Sequence, residues 1–551
     1  MNETQRQLYL AKTYRKLRCL VIDDLENFRM AIRQMVRTFG VEHIKIASNG
    51  EDAINKCSFE NFDIVLCDYN LGDGKNGQQI LEELRFRKIL KHTSLFVLIT
   101  AETSKDMVMG ALEYTPDCYL TKPITKAVLQ KRLDALIEQR EVLKPINHEI
   151  DKENYTKAIT LCREEIGKQS KYSSWCLRTL ANLYYRNTNY IEAKKIYENV
   201  LKDREIGWAR LGLGKLLLAD RQFEQAVACF KRILEHNAHV VEAHDWLSEA
   251  YKQMGLLKDA QKELETAVKI SPLAILRQEK LGDICIKNQD IEAAAVAYKA
   301  TVKLANNSCY DTADHYLNLG RCLSDLSEGD KSQTGKSRAK EALRTLDKAN
   351  VKFKDDKQAV LQSLCIETRL HQGQDNTTKC QAALKKAQCM VEGLDTPPDV
   401  SLELAKTLYA VGDTEKAEKL LHDLASKYDG DKTIMTQVEG LLDEPVSLQK
   451  KIKARSLNKK GITLSGEKKF DEAIEIFSEA LSFVPKHPAL NLNLIQVSLK
   501  ALPKQGDKKG TLERCRVSLN NVEHIPPQHS QYKRFIHLTK KVNEFVNSVD
   551  R

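Results

Sequence analysis

The stretch "RCLVIDDLENFRM", from Arg18 to Met30, decides how the first part of the chain folds. A short apolar run ends in two adjacent carboxylates, Asp23 and Asp24. Neighbouring anions repel each other, so the arrangement is tolerable only where a positive charge lies between them. The stretch therefore predicts a buried strand whose carboxyl end holds a divalent cation.

The same pattern recurs over about the first 135 residues. Short runs rich in β-branched residues alternate with segments in which apolar residues recur at helical spacing; the runs are CLVI, HIKIA, FDIVLC, LFVLIT and CYLT. This alternation is typical of a parallel sheet covered by helices. The sequence predicts a doubly wound, flavodoxin-like sheet of five strands with five helices.

Polar side chains follow the ends of the predicted strands. Asp68 follows the third strand, Thr100 ends the fourth and Lys122 follows the fifth. In doubly wound sheets ligands bind beyond the carboxyl ends of the strands, so these side chains and the two acids are expected to share one pocket. The acids are suited to Mg²⁺, and Asp68 has a second oxygen free to attack a phosphoryl group. Lys122 and Thr100 could neutralise and hydrogen-bond the phosphoryl oxygens.

The motifs "IDD", "LCDYN", "LITAE" and "YLTKP" occur in this order along the α/β segment. In these landmarks, residues 17–137 resemble the receiver domain of two-component response regulators, of the chemotaxis response regulator type. The resemblance implies that Asp68 is the phosphoacceptor and that a cognate histidine kinase of a bacterial two-component pathway is the phosphodonor.

The resemblance also implies roles for the other pocket residues. Asp24, the Asp68 side chain and the backbone carbonyl of Asn70 would bind Mg²⁺, with Asp23 assisting through water. Thr100 and Tyr119 would form a switch pair that relocates on phosphorylation. The family further suggests a cis bond between Lys122 and Pro123.

The loop after the third strand departs from the family pattern. The family usually has a proline four residues after the acceptor and a glycine eight residues after it; here Gly72 replaces the proline and Gly77 lies nine residues on. The loop is therefore expected to be longer and more flexible than usual. This departure affects the expected phosphoryl lifetime and docking geometry but not the chemistry.

A second repetition begins near residue 150. Four segments superpose without gaps, with starts 33, 34 and 34 residues apart: residues 180–201, 213–234, 247–268 and 281–302. Each segment has a small residue second, an alanine fourteenth and a large apolar residue four positions later. Small residues at these places let two antiparallel helices approach closely, and a 34-residue period is typical of tetratricopeptide repeats.

The fold class expected for the whole chain is α/β followed by all-α, the second part being a tetratricopeptide solenoid. The predicted regions are an N-terminal extension at 1–16, the receiver domain at 17–137, a linker helix at 138–150, tetratricopeptide repeats at 151–308, degenerate helical repeats at 309–397, and further repeats with a C-terminal helical cap at 398–551.

One segment of the degenerate region is similar to a phosphate-binding loop. It contains Gly329 and then Gly335-Lys336-Ser337, with five residues between the glycines. A phosphate-binding loop of this type has four residues there and follows a strand. The segment is therefore interpreted as a solvated loop between helices, without a nucleotide.

Composition excludes several classes of protein. The chain has 551 residues, 14 cysteines scattered singly and a net charge of +10. The cysteines do not form C-x-x-C pairs and are predicted to be buried, reduced thiols. The longest largely apolar run, "LGLGKLLLA", is too short to span a bilayer, and the N-terminus has no signal-peptide pattern, so a cytoplasmic protein without membrane contact is expected.

By resemblance to tetratricopeptide arrays, certain positions of the first helix of each repeat line a concave surface. These positions hold Trp175, Arg178, Asn182, Tyr185, Arg186, Trp208 and Lys215. Aromatic anchors and arginines could hold an extended or acidic peptide there. The alternative is that Trp175 and Trp208 pack against a neighbouring helix pair or the receiver.

The sequence therefore predicts a response regulator that is not an enzyme and that acts by binding a still unidentified protein target through its repeats. A transcription regulator that binds nucleic acid through its C-terminal region is the main alternative. No compact helix-turn-helix pattern supports it, so nucleic acid is an unlikely partner. An output enzyme is a third possibility, but the sequence shows neither a GGDEF or EAL motif nor a cluster of metal-ligand histidines.

Overall fold

The structure is a computed structural model that describes residues 3–101, 104–391, 396–428, 431–443, 448–502, 508–523, 525 and 531–549. Its contacts divide the chain into two compact units. The first comprises Met1–Asn288 and Val296–Thr312, and the second comprises Gln289–Ala295 and Ala313–Arg551.

The first unit begins with the predicted five-stranded sheet. Its strands are β1 (Arg18–Ile22), β2 (His43–Ala47), β3 (Ile64–Asp68), β4 (Leu95–Thr100) and β5 (Cys118–Thr121). All pairs are parallel, in the order β2-β1-β3-β4-β5. This is a doubly wound order, which confirms the predicted fold class. Because β1 and β3 are neighbours, the acids that end them lie side by side at one edge.

Six helices cover this sheet. They are α1 (Glu3–Tyr14), α2 (Glu26–Thr38), α3 (Gly50–Phe59), α4 (Gly77–Phe86), α5 (Lys105–Glu113) and α6 (Lys126–Asp151). An apolar core on one face of the sheet includes residues of α1, α2 and α6, and a second core on the other face includes residues of α3 and α4. The predicted N-terminal extension is thus largely a helix, whose Leu10 and Tyr14 are buried in the first core.

Helix α6 continues without interruption from the α/β region into the repeats. Its 26 residues include Pro145 and span both the end of the predicted receiver and the predicted linker helix. Leu143, Ile146 and Ile150 pack in the same apolar core as residues of the next four helices. The segment 138–150 therefore contributes to the repeat core and is not a separate connection.

The rest of the first unit consists of helix pairs. The helices are α7 (Tyr155–Gly167), α8 (Ser173–Arg186), α9 (Tyr190–Asp203), α10 (Gly207–Ala219), α11 (Phe223–His236), α12 (Val241–Gln253), α13 (Leu257–Ile270), α14 (Ile275–Lys287) and α15 (Ile291–Ala305), of which the start of α15 is assigned to the second unit. Helices α8, α10, α12 and α14 begin 34 residues apart, as the sequence predicts.

The small residues of the repeats let paired helices approach closely. A Cβ atom added to Gly214 would lie 2.5 Å from the ring of Phe230, and one added to Gly282 would lie 2.6 Å from the ring of Tyr298. Both distances are shorter than van der Waals contact, so only glycine fits beside these aromatic rings.

The second unit is helical throughout its described residues. Its helices are α16 (Ala313–Ser327), α17 (Gln333–Lys352), α18 (Lys357–Gly373), α19 (Thr377–Val391), α20 (Pro398–Val411), α21 (Thr414–Lys427), α22 (Lys432–Asp443), α23 (Leu448–Gly466), α24 (Phe470–Phe483), α25 (Pro488–Ala501), α26 (Lys508–Asn520) and α27 (Tyr532–Val549).

The segment similar to a phosphate-binding loop lies partly in helix α17. Gly335, Lys336 and Ser337 form part of its first turn, and the Ser332 hydroxyl accepts a hydrogen bond from the Gly335 amide at 3.2 Å. The prediction of a loop was therefore wrong from Gln333 onward, because Ser332 caps the helix. The segment follows helix α16 and not a strand.

All 14 cysteines are free, and eleven of them are buried. The prediction of buried thiols is thus confirmed for most of the cysteines, whereas Cys118 and Cys309 are half-buried and Cys389 is exposed. Among the described residues, every helix is either too short or too polar to cross a lipid bilayer.

Candidate functional site

The candidate site lies at the carboxyl edge of the sheet, where Lys122 contacts two acids. Its Nζ atom lies 2.9 Å from Asp23 Oδ2 and 2.8 Å from Asp68 Oδ2. The aliphatic and cationic end of the lysine also lies over the Phe28 ring, 3.9 Å from its centroid. The structure thus brings together residues that follow β1, β3 and β5, as the strand ends predict.

Burial and charge act in opposite directions on this lysine and its acids. Burial raises the pKa of Asp68, and the hydrogen bond from Lys122 offsets this only in part. Burial lowers the pKa of Lys122, but the two carboxylates outweigh it and the net pKa is raised. Lys122 therefore stays cationic at neutral pH, so that it can pair with an incoming anion.

The three acids also form a set of oxygen donors. One carboxylate oxygen from each of Asp23, Asp24 and Asp68 lies within 4.8 Å of the others. Asp23 and Asp68 are buried, whereas Asp24 is exposed. Hard oxygen ligands clustered in this way fit the coordination preference of Mg²⁺.

Backbone hydrogen bonds hold the first two acids in place. Asp23 Oδ1 accepts from the Leu25 amide at 2.9 Å. Arg29 Nη1 donates to the carbonyl oxygens of Asp23 at 2.6 Å and Asp24 at 2.9 Å. The sequence analysis missed Arg29. Its position four residues into the helix after the paired acids is the only signal that could have indicated it.

The loop after Asp68 depends on glycine at a close backbone contact. A Cβ atom added to Gly77 would lie 2.2 Å from the carbonyl oxygen of Asp68. The Gly77 amide donates to the Tyr69 carbonyl at 2.8 Å, and Asn76 and Gln79 form a reciprocal cap at the start of α4. The glycine found nine residues after Asp68 thus lets the helix begin directly against the Asp68 carbonyl.

The remaining residues predicted for this pocket lie around it. Thr100 is fully buried at the end of β4, and its carbonyl accepts from the Lys122 amide at 2.6 Å. Tyr119 is half-buried against the apolar core beneath α3 and α4. Asn70 is exposed, and its side chain accepts from the Gly72 amide at 3.3 Å. The peptide bond between Lys122 and Pro123 is cis.

The residues predicted to line the repeat groove differ in exposure. Arg178, Asn182 and Arg186 are exposed. Trp175, Tyr185 and Trp208 are half-buried against the first repeat core, where Trp208 lies edge-on to Tyr197 with ring centroids 6.1 Å apart. Lys215 pairs with Glu242 at 2.5 Å and lies over the Trp246 ring.

Two of these groove residues line a cleft. Trp175 and Arg186 lie at a cleft of about 640 Å³ whose other walls come from α6, α7 and the α/β region. Among the lining residues Arg85, Lys88 and Lys91 are basic. The cleft therefore combines an aromatic side chain with cations from both parts of the first unit.

Comparison with known families identifies both parts of the chain. Residues 19–134 match the response regulator receiver domain, and residues 174–206, 217–277 and 454–487 match tetratricopeptide repeat families. The chain therefore carries an N-terminal receiver domain and C-terminal tetratricopeptide repeats, as the sequence motifs predict.

Two relatives of the receiver domain are chemotaxis proteins. The chain is 28% identical over 125 residues to chemotaxis protein CheY-3 of Vibrio cholerae, which covers 23% of this chain and 95% of that protein. It is also 28% identical over 123 residues to chemotaxis protein CheY of Pseudomonas aeruginosa, covering 22% and 98%.

Solved structures resemble each part separately. The C-terminal part of a tetratricopeptide repeat-containing protein of Cytophaga hutchinsonii is 14% identical with a TM-score of 0.36, covering 46% of this chain and 96% of that one. A receiver domain protein of Methanospirillum hungatei is 22% identical with a TM-score of 0.21, covering 23% and 96%.

Proposed function

Since the chain joins a receiver domain to tetratricopeptide repeats, we propose that it is a phosphorylation-controlled response regulator that signals through protein binding. Asp68 accepts a phosphoryl group from a cognate histidine kinase of a bacterial two-component system, and the repeats bind a protein target in the cytoplasm. In this role the chain is an adaptor and not an enzyme. The observation that supports the proposal most is the placement of Lys122 between Asp23 and Asp68.

In this proposal each residue of the pocket has a separate role in phosphoryl transfer. A carboxylate oxygen of Asp68 attacks the phosphorus, a new O–P bond forms, and the bond to the donor breaks with its electron pair leaving on the donor. Lys122 then pairs with the oxygens of the transferred group, because the Asp68 carboxylate has become part of an acyl phosphate and has lost its negative charge, whereas the phosphoryl oxygens are anionic. Thr100 donates a hydrogen bond to the same group. Asp24, Asp68 and the Asn70 carbonyl would hold Mg²⁺, with Asp23 assisting through water, and the ion when bound would neutralise charge on the phosphoryl oxygens.

Phosphorylation would act on the rest of the chain by adding charge at one end of the sheet. Such a change shifts the population of alternative arrangements of the domain. Thr100 and Tyr119 form the switch pair of this proposal. The buried position of Thr100 next to Lys122 and the half-buried position of Tyr119 on the adjacent strand support it.

The metal role is tested by replacing Asp24 with alanine. We expect a loss of Mg²⁺ affinity and of phosphorylation together, because a cation site that loses one of its three carboxylates loses much of its negative charge. The measurement is phosphoryl incorporation from acetyl phosphate, by intact mass, as a function of Mg²⁺ concentration.

Glu26→Ala is the matched control, since this exposed acid lies two residues away and outside the carboxylate cluster. It should behave like the wild type. Equal Mg²⁺ dependence for the Asp24 and Glu26 variants would remove Asp24 from the metal site.

The partner site is tested on the repeats. We propose that Arg178 and Arg186 of α8 hold an acidic peptide segment of the target. The other proposed groove residues are Trp175, Asn182 and Tyr185 on the same helix and Trp208 and Lys215 on α10. Replacing Arg178 and Arg186 together by alanine should weaken binding of acidic peptides about tenfold or more, because each removes a charge-assisted hydrogen bond. The melting temperature should not change, because both side chains are exposed.

Fluorescence anisotropy with labelled acidic and basic peptides is the measurement. The control removes the same charge from the second helix of the same repeat, by Lys194→Ala with Lys202→Ala, both exposed on α9. If the arginine variant lowers the melting temperature and leaves peptide affinity unchanged, the arginines support packing instead.

A further inference from the structure

The loop between Asp68 and α4 contacts the repeats directly. Asn307 Nδ2 donates to the carbonyl of Gly74 at 3.1 Å, and Lys75 Nζ donates to the carbonyl of Asn307. Gln79 Nε2 donates to the carbonyl of Asn306 at 2.9 Å. We call these three bonds the clasp. All the residues of the clasp belong to the first unit.

The contact continues along helix α4. Glu82 is buried and accepts from the hydroxyl of Ser308 and, at 3.6 Å, from the thiol of Cys309. Phe86 lies edge-on to Tyr310 with ring centroids 5.3 Å apart. The turn after α15 therefore lies along α4 from its first residues to its last.

The near end of the same loop is fixed at the acceptor. Gly77 begins α4 against the Asp68 carbonyl, as described above, and the Tyr69 amide donates to the Ile99 carbonyl at 3.0 Å. Between these points Gly72 and Gly74 have φ values of +72° and +98°. Glycines in this conformation restrict the chain little, so contacts outside the loop must fix its path.

We propose that Asn307, a residue of the repeat region, is a positioning residue for phosphotransfer at Asp68. Together with Lys75 it holds the far end of the loop whose near end carries the acceptor and Asn70. This inference rests on the proposed function. It also assigns a role to the unusual loop: the segment that departs from the receiver pattern is the one that the repeats bind.

A second contact, separate from the clasp, joins the α/β region to the repeats of the first unit. Arg277 of α14 is 5% exposed and binds Glu113 of α5 at 2.8 and 3.1 Å and Asp245 of α12 at 2.7 and 2.8 Å. Leu273 packs against Gly110 on the same helix as Glu113. Because this second contact does not involve the loop, loosening the clasp should leave the α/β region docked.

Coupling of this kind acts in both directions. If the docked turn stabilises the phosphorylated form of the loop at equilibrium, then phosphorylation must favour the docked turn by the same free energy. Through Asn307, the repeats would then respond to the phosphorylation of Asp68 as well as affect it.

The test is Asn307→Gly. Asn307 is exposed and has φ of +67°, so glycine preserves the backbone and removes only the donor to Gly74. The matched control is Arg221→Gly, another exposed residue with positive φ in a turn between helices. Lys75→Met, which keeps the aliphatic stem, removes a second clasp donor, and with it the ion pair of Lys75 Nζ with the buried Glu83 at 3.0 Å.

At subsaturating Mg²⁺, we expect both clasp variants to incorporate phosphoryl groups from acetyl phosphate about three- to tenfold more slowly than the control. An effect of about this size corresponds to the free energy of one hydrogen bond. Amide hydrogen exchange over residues 70–76 should be faster in both variants. The melting temperature of Asn307→Gly should match that of the control, whereas Lys75→Met should lower it because the buried Glu83 loses an ion pair. A packing role alone would lower the melting temperature without changing the Mg²⁺ dependence.

The outcomes separate the two proposals. Wild-type protein that takes up no phosphoryl group would overturn the proposed function and this inference with it. Wild-type protein that is phosphorylated at the same rate as both clasp variants would overturn the inference alone.

Discussion

Replacement of Asp68 by alanine is expected to abolish phosphoryl incorporation from acetyl phosphate. The reaction needs a carboxylate oxygen beside a cation, and Asp68 is the buried acid that Lys122 contacts at the end of β3. The other buried acid of the pocket, Asp23, accepts a hydrogen bond from the Leu25 amide on Oδ1 and one from Lys122 on Oδ2. Intact mass after incubation with Mg²⁺ and acetyl phosphate measures the effect.

Asp73→Ala is the matched control for this experiment. Asp73 is an exposed acid five residues further along the same loop, outside the carboxylate cluster. Its variant should be phosphorylated like the wild type. Phosphate that persists at the wild-type level in the Asp68→Ala protein would show that another residue is the acceptor.

Gly77→Ala should have the largest effect on the shape of the acceptor loop. An added Cβ atom would lie 2.2 Å from the Asp68 carbonyl oxygen and 3.0 Å from the Tyr69 Cα atom, both of them backbone atoms that no rotamer change can move. Overpacking of this kind destabilises by about 1–3 kcal/mol or more. Since the atom that must move belongs to Asp68, the proposed acceptor, phosphorylation should fall as well.

The measurements are hydrogen exchange of the β3 amides and the rate of phosphoryl incorporation. Gly167→Ala is the control: it lies at the end of α7 with no atom within 4 Å of the added Cβ, and it should be neutral or slightly stabilising. If Gly77→Ala retains both the exchange protection of β3 and the wild-type rate, the close contact at Asp68 does not shape the acceptor.

The elements of both regions followed from local patterns. Strands such as Ile64–Asp68 have an apolar run that ends in an acid, and the 34-residue period located the helix pairs from α8 to α15. The meeting of Asp23, Asp68 and Lys122 was also predictable, because parallel strands end at one edge of their sheet. Their roles in phosphotransfer remain predictions, and so do the limits of the domains.

Other features required the packed structure. In the sequence, Gly77 is notable only because it departs from the family pattern. Glycine is needed there because the backbone approaches the Asp68 carbonyl closely, and the spacing of residues in the sequence does not indicate that contact. Trp208 occupies a repeat position that is typical of a groove. Its side chain is nevertheless half-buried and lies edge-on to Tyr197 of the preceding helix. Burial of a large aromatic side chain against a neighbouring helix is favourable.

The sequence by itself determined the local elements, their repetition and the edge of the sheet where the acids gather. Only the tertiary structure decided that Asn307 bonds Gly74 across 233 residues and that Arg277 joins Glu113 across 164. The spacing of apolar residues is set by the backbone geometry of single strands and helices, so it can be recognised in short segments of the sequence. Contacts over such separations depend instead on the small rotations between successive repeats, which add up along the solenoid and which no single repeat specifies.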